Sequence, residues 1–427
     1  MRVLLTWELG HNVGHLTRLL PVAQQLKSEG HILLAAVRDL QSAAPILGRA
    51  GIPLIQAPHL LHGIPLQHRP TGYADILLSQ GWADPSGLWG LTQGWLNIFA
   101  LFKPDHLIID YSPTASLAAR LAKIPTLLIG NGFEMPPMTD PLPSFPGFAW
   151  ASADTAAKAE RQAVANANTV ARAYKGSELS SLSSLVAGQK RLFATLPELD
   201  HYGEREDVEY IGPLLGKSDA RQVTWPEGQG PRIFATLKPD TNNVKEILEA
   251  LATLESRVVC VAMGFSPESL AAYCRPHILL SQAFVDLELL RDADLCITYG
   301  AEGTMLTFLL AGVPQLMYPW HVEAFMAGRK MQTAGVGLSI EKVQTATDVL
   351  GSIRRLLDHG DYKRRATELA IKYSAADPAV VAAAVTAVQV DAFESPLPGK
   401  SYAITVAKCG SARTLQSDAL AMSIAMQ

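Results

Sequence analysis

The sequence predicts an α/β protein made of two doubly wound halves, one after the other. Three observations predict it. Short apolar runs alternate with amphipathic helical stretches almost throughout, which is the rhythm of a parallel sheet covered on both faces. The series breaks once, at residues 212–231, where Pro213, Pro226, Pro231, Gly212, Gly216, Gly228 and Gly230 give linker composition, and then begins again. Of the 427 residues 48% are hydrophobic and only 18% charged, enough to bury a core in each half.

The first half opens with the apolar run Arg2–Thr6 and a glycine-rich loop. Thr17–Ser28 has helical spacing and stops at Gly30. Ile32–Val37 reads as a strand, Ser42–Ala50 as a helix, and Leu54-Ile55 as the next strand after Gly51-Ile-Pro. The rhythm resumes with strand His106–Asp110, helix Thr114–Ala122 and strand Thr126–Ile129. Arg191–Thr195 and Val208–Ile211 close this half.

The second half starts at Arg232–Thr236. Helix Val244–Leu254, strands Val258–Ala262 and Ile278–Leu280, helix Asp286–Leu290 and strand Leu295–Thr298 follow. Then come helix Thr304–Leu310, strand Gln315–Tyr318 and helix Glu323–Thr333, with helices near 344–357, 361–373 and 378–390 at the end. The expected division is 1–212, a linker at 213–231, 232–394, and a tail at 395–427 of little order, which begins Ser-Pro-Leu-Pro-Gly.

Two insertions read as long loops. Residues 59–102 carry Tyr73, Trp82, Trp89, Trp95, Phe99 and Phe102. Residues 131–150 carry five prolines with Met135, Met138, Phe145, Phe148 and Trp150. Such loops either cover a satellite core or wall an apolar binding site.

A net charge of -4 from 36 basic and 40 acidic residues excludes an obligate nucleic-acid binder of the basic kind. Cys260, Cys274, Cys296 and Cys409 lie too far apart for a zinc pattern and read as reduced thiols, three of them core residues. No apolar run is long enough for a transmembrane helix, and Met1–Trp7 lacks the features of a signal peptide. A cytoplasmic location is therefore expected.

Four segments can carry chemistry. Glu8-Leu-Gly-His-Asn-Val-Gly-His15-Leu-Thr-Arg18 joins the first strand to the first helix, where ligands of open α/β sheets sit. Gly14 lets a ligand approach closely, and His11 and His15 are candidate general bases near neutral pH. The loop is neither a dinucleotide fingerprint nor a phosphate loop with its lysine. Asp110 ends a strand, as a cap of the following helix or as the partner that orients an imidazole. Tyr299-Gly300-Ala-Glu302-Gly303-Thr304 leads from a strand into a helix whose free N–H groups can hold an anion, or it is a packing turn only. Pro319-Trp-His321-Val-Glu323 ends a strand and opens a helix, where Glu323 can cap it or bind sugar hydroxyls.

Taken together, Ser281–Asp294, Tyr299–Thr304, Ala311–Pro314 and Pro319–Gly337 resemble, in order and spacing, the nucleotide-sugar glycosyltransferases of the GT-B type. Bacterial transferases acting on antibiotics are the nearest likeness, the lipid-linked peptidoglycan transferase a looser one. Gly14-His15, Gly30-His31 and Tyr210-Ile-Gly-Pro213 fit the same family, over about residues 1–390. The resemblance implies two Rossmann-like domains facing each other across a cleft, acceptor domain first and donor domain second. It implies an inverting transfer from a UDP- or dTDP-sugar to a hydroxyl of an apolar, amphipathic or lipid-like acceptor, with no metal or other cofactor. Peripheral membrane contact is compatible with it; nucleic acid is not an expected partner. By the same likeness His15 is the base and Asp110 its orienting acid. Phe284 and Val285 hold the nucleotide base, Tyr299, Gly300, Glu302, Gly303 and Thr304 surround the diphosphate, and His321 and Glu323 face the sugar.

The chain departs from the family pattern in four places: Tyr299 stands for a familiar His, Glu323-Ala324 for Asp-Gln, Arg18 for Pro, and Thr307 for an acid. Two other readings therefore stay open, a nucleotide-binding relative without turnover and a nucleotide-sugar 2-epimerase on the same fold.

Overall fold

The computed structural model describes residues 1–10, 13–216 and 220–392. The expectation for the 395–427 tail lies outside the described residues. In chain order the first half runs β1 (Arg2–Trp7), α1 (Gly14–Ser28), β2 (Ile32–Val37), α2 (Leu40–Ala43), β3 (Leu54–Gln56), α3 (Tyr73–Leu77), α4 (Pro85–Phe102), β4 (His106–Asp110), α5 (Pro113–Ala122), β5 (Thr126–Gly130), α6 (Ala153–Ala173), β6 (Lys190–Phe193) and β7 (Glu209–Tyr210). The second half runs β8 (Arg232–Leu237), α7 (Val244–Thr253), β9 (Arg257–Ala262), α8 (Pro267–Ala271), β10 (Ile278–Ser281), β11 (Leu295–Thr298), α9 (Glu302–Leu309), β12 (Gln315–Met317), α10 (Val322–Thr333), β13 (Gly337–Ser339), α11 (Ala346–Asp358), α12 (Gly360–Lys372) and α13 (Pro378–Ala392).

Each half is one parallel sheet. The first has the order β3-β2-β1-β4-β5-β6-β7 and the second β10-β9-β8-β11-β12-β13. The unbroken apolar strands follow from burial on both faces. In β1, Val3, Leu5 and Trp7 pack under α1, while Leu4 points to the opposite layer with Trp95, Phe99, Leu107 and Ile109.

Several elements differ from the sequence expectation. Residues 44–48 continue α2 as a wide π turn rather than an α-helix. Residues 287–290 form a short 3₁₀ turn, with Asp286 accepting from Glu288 N–H. The aromatic insertion is helical. Asp84 caps α4, accepting from Gly87 N–H at 2.7 Å, and Pro85 takes the first helical position. Gly87, Gly90 and Gly94 hide that helix in the sequence, and Gly94 is needed because a Cβ there would lie 2.8 Å from Pro58. The 21-residue helix α6 has no counterpart in the sequence reading. Its buried face is Ala156, Ala159, Ala163, Ala167 and Val170, a stripe of helical period made mainly of alanine. Trp82 and Trp95 are fully buried, and Trp95, Phe99 and Phe102 pack on β1 and β4, so much of the insertion covers one face of the first sheet. Of the cysteines, Cys260 and Cys296 are buried and Cys274 is exposed; Cys409 lies outside the described residues.

The halves are joined twice. Pro21 lies inside α1 and has no N–H, which leaves the Thr17 carbonyl free. Gly216 N–H from the linker takes it at 3.0 Å. The chain returns near Ala376, whose N–H reaches the Pro213 carbonyl at 2.7 Å. Residues 378–392, assigned by sequence to the second half, then pack on α1, with Val381, Ala382 and Val385 in the core of the first.

Candidate functional site

In each sheet the strand order reverses direction at one place, between β1 and β4 in the first and between β8 and β11 in the second. A crevice opens there beyond the carboxyl ends of the strands. Trp7 pairs with Asp110 in the first sheet and Thr298 with Thr236 in the second, so the loops that follow these residues line the two crevices.

His15 sits in the first turn of α1, stacked between Trp7 and Tyr111 at centroid distances of 5.4 and 6.0 Å. Its Nδ1 lies 2.7 Å from Asp110 Oδ1. Asp110 does not cap α5. Glu8 does, accepting from the Thr114 and Ala115 N–H groups at 3.0 and 3.2 Å. A carboxylate only accepts, so Nδ1 carries the proton and Nε2 is left to receive one. Tyr111, next to Asp110, is held at φ +46, a left-handed conformation that is costly for this residue type.

Arg18 lies one helical turn beyond His15 on the same face of α1. Its Nη1 donates to Asp110 Oδ1 at 3.0 Å and to Glu134 Oε2 at 2.7 Å. Its Nη2 donates to Glu302 Oε2 at 2.7 Å, in the other half. Asn131, just after β5, makes a second crossing. Its Nδ2 donates to Glu302 Oε1 at 3.1 Å and to Glu323 Oε1 at 3.3 Å, while its Oδ1 holds the Phe133 and Glu134 N–H groups.

The electrostatics follow from this packing. Burial pushes His15 down, the Asp110 and Glu134 carboxylates push it up, and the net shift is upward. Burial drives Glu134 up to about 7 against the pull of Arg18. Burial lowers His201 and His321. Burial raises Glu323, but His321, His201, His15 and the Asn131 hydrogen bond bring it below its ordinary value.

The second crevice holds the N-terminus of α9. Ala301 precedes it and provides no side-chain cap, so the first N–H groups are left to a ligand. A Cβ at Gly303 would meet nothing within 4 Å, which marks open space. Gly300, at φ +103, is required by conformation and by fit, since a Cβ there would lie 2.6 Å from Met317 and 2.7 Å from the Ala324 methyl. Tyr299 is buried under Lys238, whose Nζ lies 5.0 Å from the ring centre, and Thr304 is half-buried in the first turn of α9. His321 caps α10, with Nδ1 3.4 Å from Ala324 N. Phe284 is half exposed and Val285 buried, and the linker runs beside them through Arg221. Gly14 starts α1 with open space around it.

The structure thus brings His15, Asp110, Glu302 and Glu323 into one cluster, with His321 within electrostatic range of Glu323. Tyr299, Gly300, Gly303 and Thr304 stand at the start of α9. Glu302 is tied to Arg18 and Asn131. Phe284 and Val285 lie apart, at the linker. The rival base His11 lies outside the described residues. Sequence reading missed Asn131, Glu134 and His201, and recorded Arg18 only as a departure. Their signal was an isolated Asn or acid after a strand, which spacing alone does not distinguish from a turn.

His15, Asp110 and Glu134 place possible ligand atoms within 4.8 Å of one another. The Arg18 guanidinium already occupies both carboxylates, so a cation entering there would face it. A cavity of about 850 Å³ opens beside Gly10, lined by Trp7, Arg38, Gln56, His59 and Ile98. A smaller apolar pocket beyond Tyr111 is lined by Tyr73, Met135, Met138 and Leu142, so part of the proline-rich insertion lines a pocket.

The fold and site invite comparison. Residues 245–388 match the family model described as the C-terminal domain of erythromycin biosynthesis protein CIII-like proteins. A PGL/p-HBAD biosynthesis glycosyltransferase of Mycobacterium tuberculosis is 26% identical over 293 residues, 62% of this chain and 66% of that protein, so the match spans just under two thirds of its length. Among solved structures, the glycosyltransferase VinC in complex with dTDP superposes with a TM-score of 0.67 at 20% identity, covering 91% of this chain and all of that one, 100%. The spinosyn rhamnosyltransferase SpnG gives 0.65 at 18% identity over 90% of this chain and 99% of that one. SpnG also matches in its complexes with thymidine diphosphate and with spinosyn aglycone. The chain has the GT-B fold, two Rossmann-like domains, and resembles glycosyltransferases of antibiotic biosynthesis. Among the described residues no helix is long and apolar enough to cross a membrane.

Proposed function

We propose that the protein is a glycosyltransferase that moves a sugar, with inversion, from a dTDP- or UDP-sugar to a hydroxyl of an apolar or amphipathic acceptor. One observation carries this reading: the His15–Asp110 pair and the uncapped start of α9 are joined through Arg18 and Glu302. The acceptor hydroxyl gives its proton to His15 Nε2 as its oxygen attacks the anomeric carbon. The bond from that carbon to the diphosphate breaks, and the diphosphate keeps the electron pair. Asp110 holds the tautomer and stabilises the imidazolium. The N–H groups of Glu302, Gly303 and Thr304 take up the charge on the leaving group, in place of a metal. The acceptor enters past Gly10 and the Tyr111 pocket.

Support comes from the relatives as well. The mycobacterial protein is named a PGL/p-HBAD biosynthesis glycosyltransferase, VinC was solved with dTDP, and SpnG with thymidine diphosphate and with spinosyn aglycone. The test is a thermal-shift series with dTDP, UDP and their sugar conjugates, followed by product analysis. A shift of the melting temperature with a nucleotide, and release of the nucleoside diphosphate only when a hydroxylated acceptor is present, is expected. An isomerised donor without acceptor would mean an epimerase, and absence of any shift would remove the donor assignment.

A further inference from the structure

We infer that His201 and Tyr202 form a hydroxyl-recognising subsite for the transferred sugar, contributed by the first half of the chain; the inference rests on the transferase reading above. His201 is 3% exposed, and neither of its ring nitrogens has a hydrogen-bond partner among the described residues. The buried Tyr202 hydroxyl and Asp110 Oδ2 are likewise without partners. An unsatisfied buried polar atom costs about 1–3 kcal/mol, so such atoms are rare in native structures and call for an explanation. The orphaned atoms of His201 and Tyr202 belong to consecutive residues of one loop. His201 packs on Phe133, with ring centres 5.7 Å apart, and lies within electrostatic range of Glu302 and Glu323 from the other half. Tyr202 is an electrostatic neighbour of Tyr73 and Tyr111, which flank the His15 cluster.

The backbone holds these two residues at the cleft. The 3₁₀ turn Pro197–Leu199 packs on the α10 side through Leu199 and Leu196, in one cluster with Met305, Ala327 and Met331. Asp200 then accepts from Tyr202 N–H at 3.0 Å and is gripped by Arg205 at 2.7 and 2.9 Å. The loop is therefore rigid, and His201 projects from a fixed base.

The chemistry fits a sugar. Burial keeps His201 below its ordinary pKa, so at neutral pH the ring offers one donor and one acceptor. A sugar hydroxyl both donates and accepts, and so does the Tyr202 phenol. In the second half the Ala324 side chain has no polar atom and its methyl is packed toward Gly300, so that side chain supplies no hydrogen bond to a sugar. The orphaned groups stand across from Glu302 and Glu323, at the starts of α9 and α10, where a sugar attached to a diphosphate at α9 would lie.

The experiment is calorimetric titration of the full chain with dTDP and UDP and with their glucose and rhamnose conjugates, together with steady-state kinetics. His201→Leu is expected to lower the affinity for the preferred conjugate about ten-fold while affinity for the bare nucleotide is unchanged. Tyr202→Phe should act in the same direction, and His201→Gln, which keeps a donor and an acceptor, should retain most of the affinity. Parallel loss of nucleotide and conjugate binding would make His201 structural, and a change confined to the acceptor KM would give the subsite to the acceptor. Unchanged binding in every variant would mean a water-filled gap, and each of these three results overturns the proposal. Failure of the native chain to bind any nucleotide would instead overturn the transferase reading, and the subsite with it.

Discussion

Arg18 Nη2 and Glu302 Oε2 stand 2.7 Å apart although 284 positions separate them in the chain. The same guanidinium holds Glu134 and Asp110, the partner of His15, so one side chain ties the His15 cluster to the start of α9. The position of α9 and the setting of the His15–Asp110 pair are coupled through one side chain.

Removing that side chain should be expensive. Arg18→Met leaves Asp110 and Glu134 as buried carboxylates without their cation, and loss of one partner of a buried pair costs about 3–5 kcal/mol. Glu302→Gln should cost less, because Glu302 keeps 21% side-chain exposure and Gln can still accept from Arg18. Urea denaturation of both variants checks the order. Equal costs would mean that the Arg18–Glu302 contact, not the Asp110–Glu134 contacts, dominates.

His15→Ala should reduce turnover by about 10²–10⁴ while nucleotide binding stays intact, the range for a positioned general base. Asp110→Asn should lose less, since the imidazole remains. Transfer assays with His15→Ala and His11→Ala side by side decide between the two histidines. Native activity in both would make this loop structural.

The acid limb of kcat/KM should lie above the ordinary histidine value of about 6.5, because the cluster shifts His15 upward. The base must be neutral, so activity falls as pH drops through the raised value. The linked stability has the opposite sense: it is full below the unfolded-state value and is lost as pH rises through the folded one. Glu134 titrates near 7 in the same cluster, so the limb belongs to the group rather than to one residue. Asp110→Asn should move the limb to lower pH and Arg18→Met to higher pH, since Arg18 opposes the charge on His15. A limb that stays put in both variants would disconnect it from His15.

Gly303→Val should fold normally and lose the nucleotide-induced rise in melting temperature, because its side chain enters open space at the start of α9. Gly300→Ala should do the reverse of the first half of that statement. It places a methyl against Met317 and Ala324 at φ +103 and should destabilise the fold by about 1–3 kcal/mol. Nucleotide binding by Gly303→Val at native affinity would move the diphosphate elsewhere.

The strands were legible because each is a short apolar run buried on both faces, and burial of that kind leaves its mark in the sequence itself. Ile32–Val37, His106–Asp110 and Leu295–Thr298 fall on the expected residues. The position of His15 after the first strand, and of Gly300–Thr304 at a helix start, follows from local order as well. Helix α6 was missed although its buried stripe has a clear helical period, because that face is built mainly of alanine rather than large apolar residues, and α4 was masked by its glycines. The pairing of Asp110 with His15 was an expectation among alternatives; that Glu8 caps α5 and frees Asp110 depends on β1 and β4 being neighbours in the sheet. Arg18 and Asn131 meet Glu302 and Glu323 only when the two sheets face each other. Their partners lie on other strands or in the other half, and no periodicity along the chain encodes a contact between residues 18 and 302.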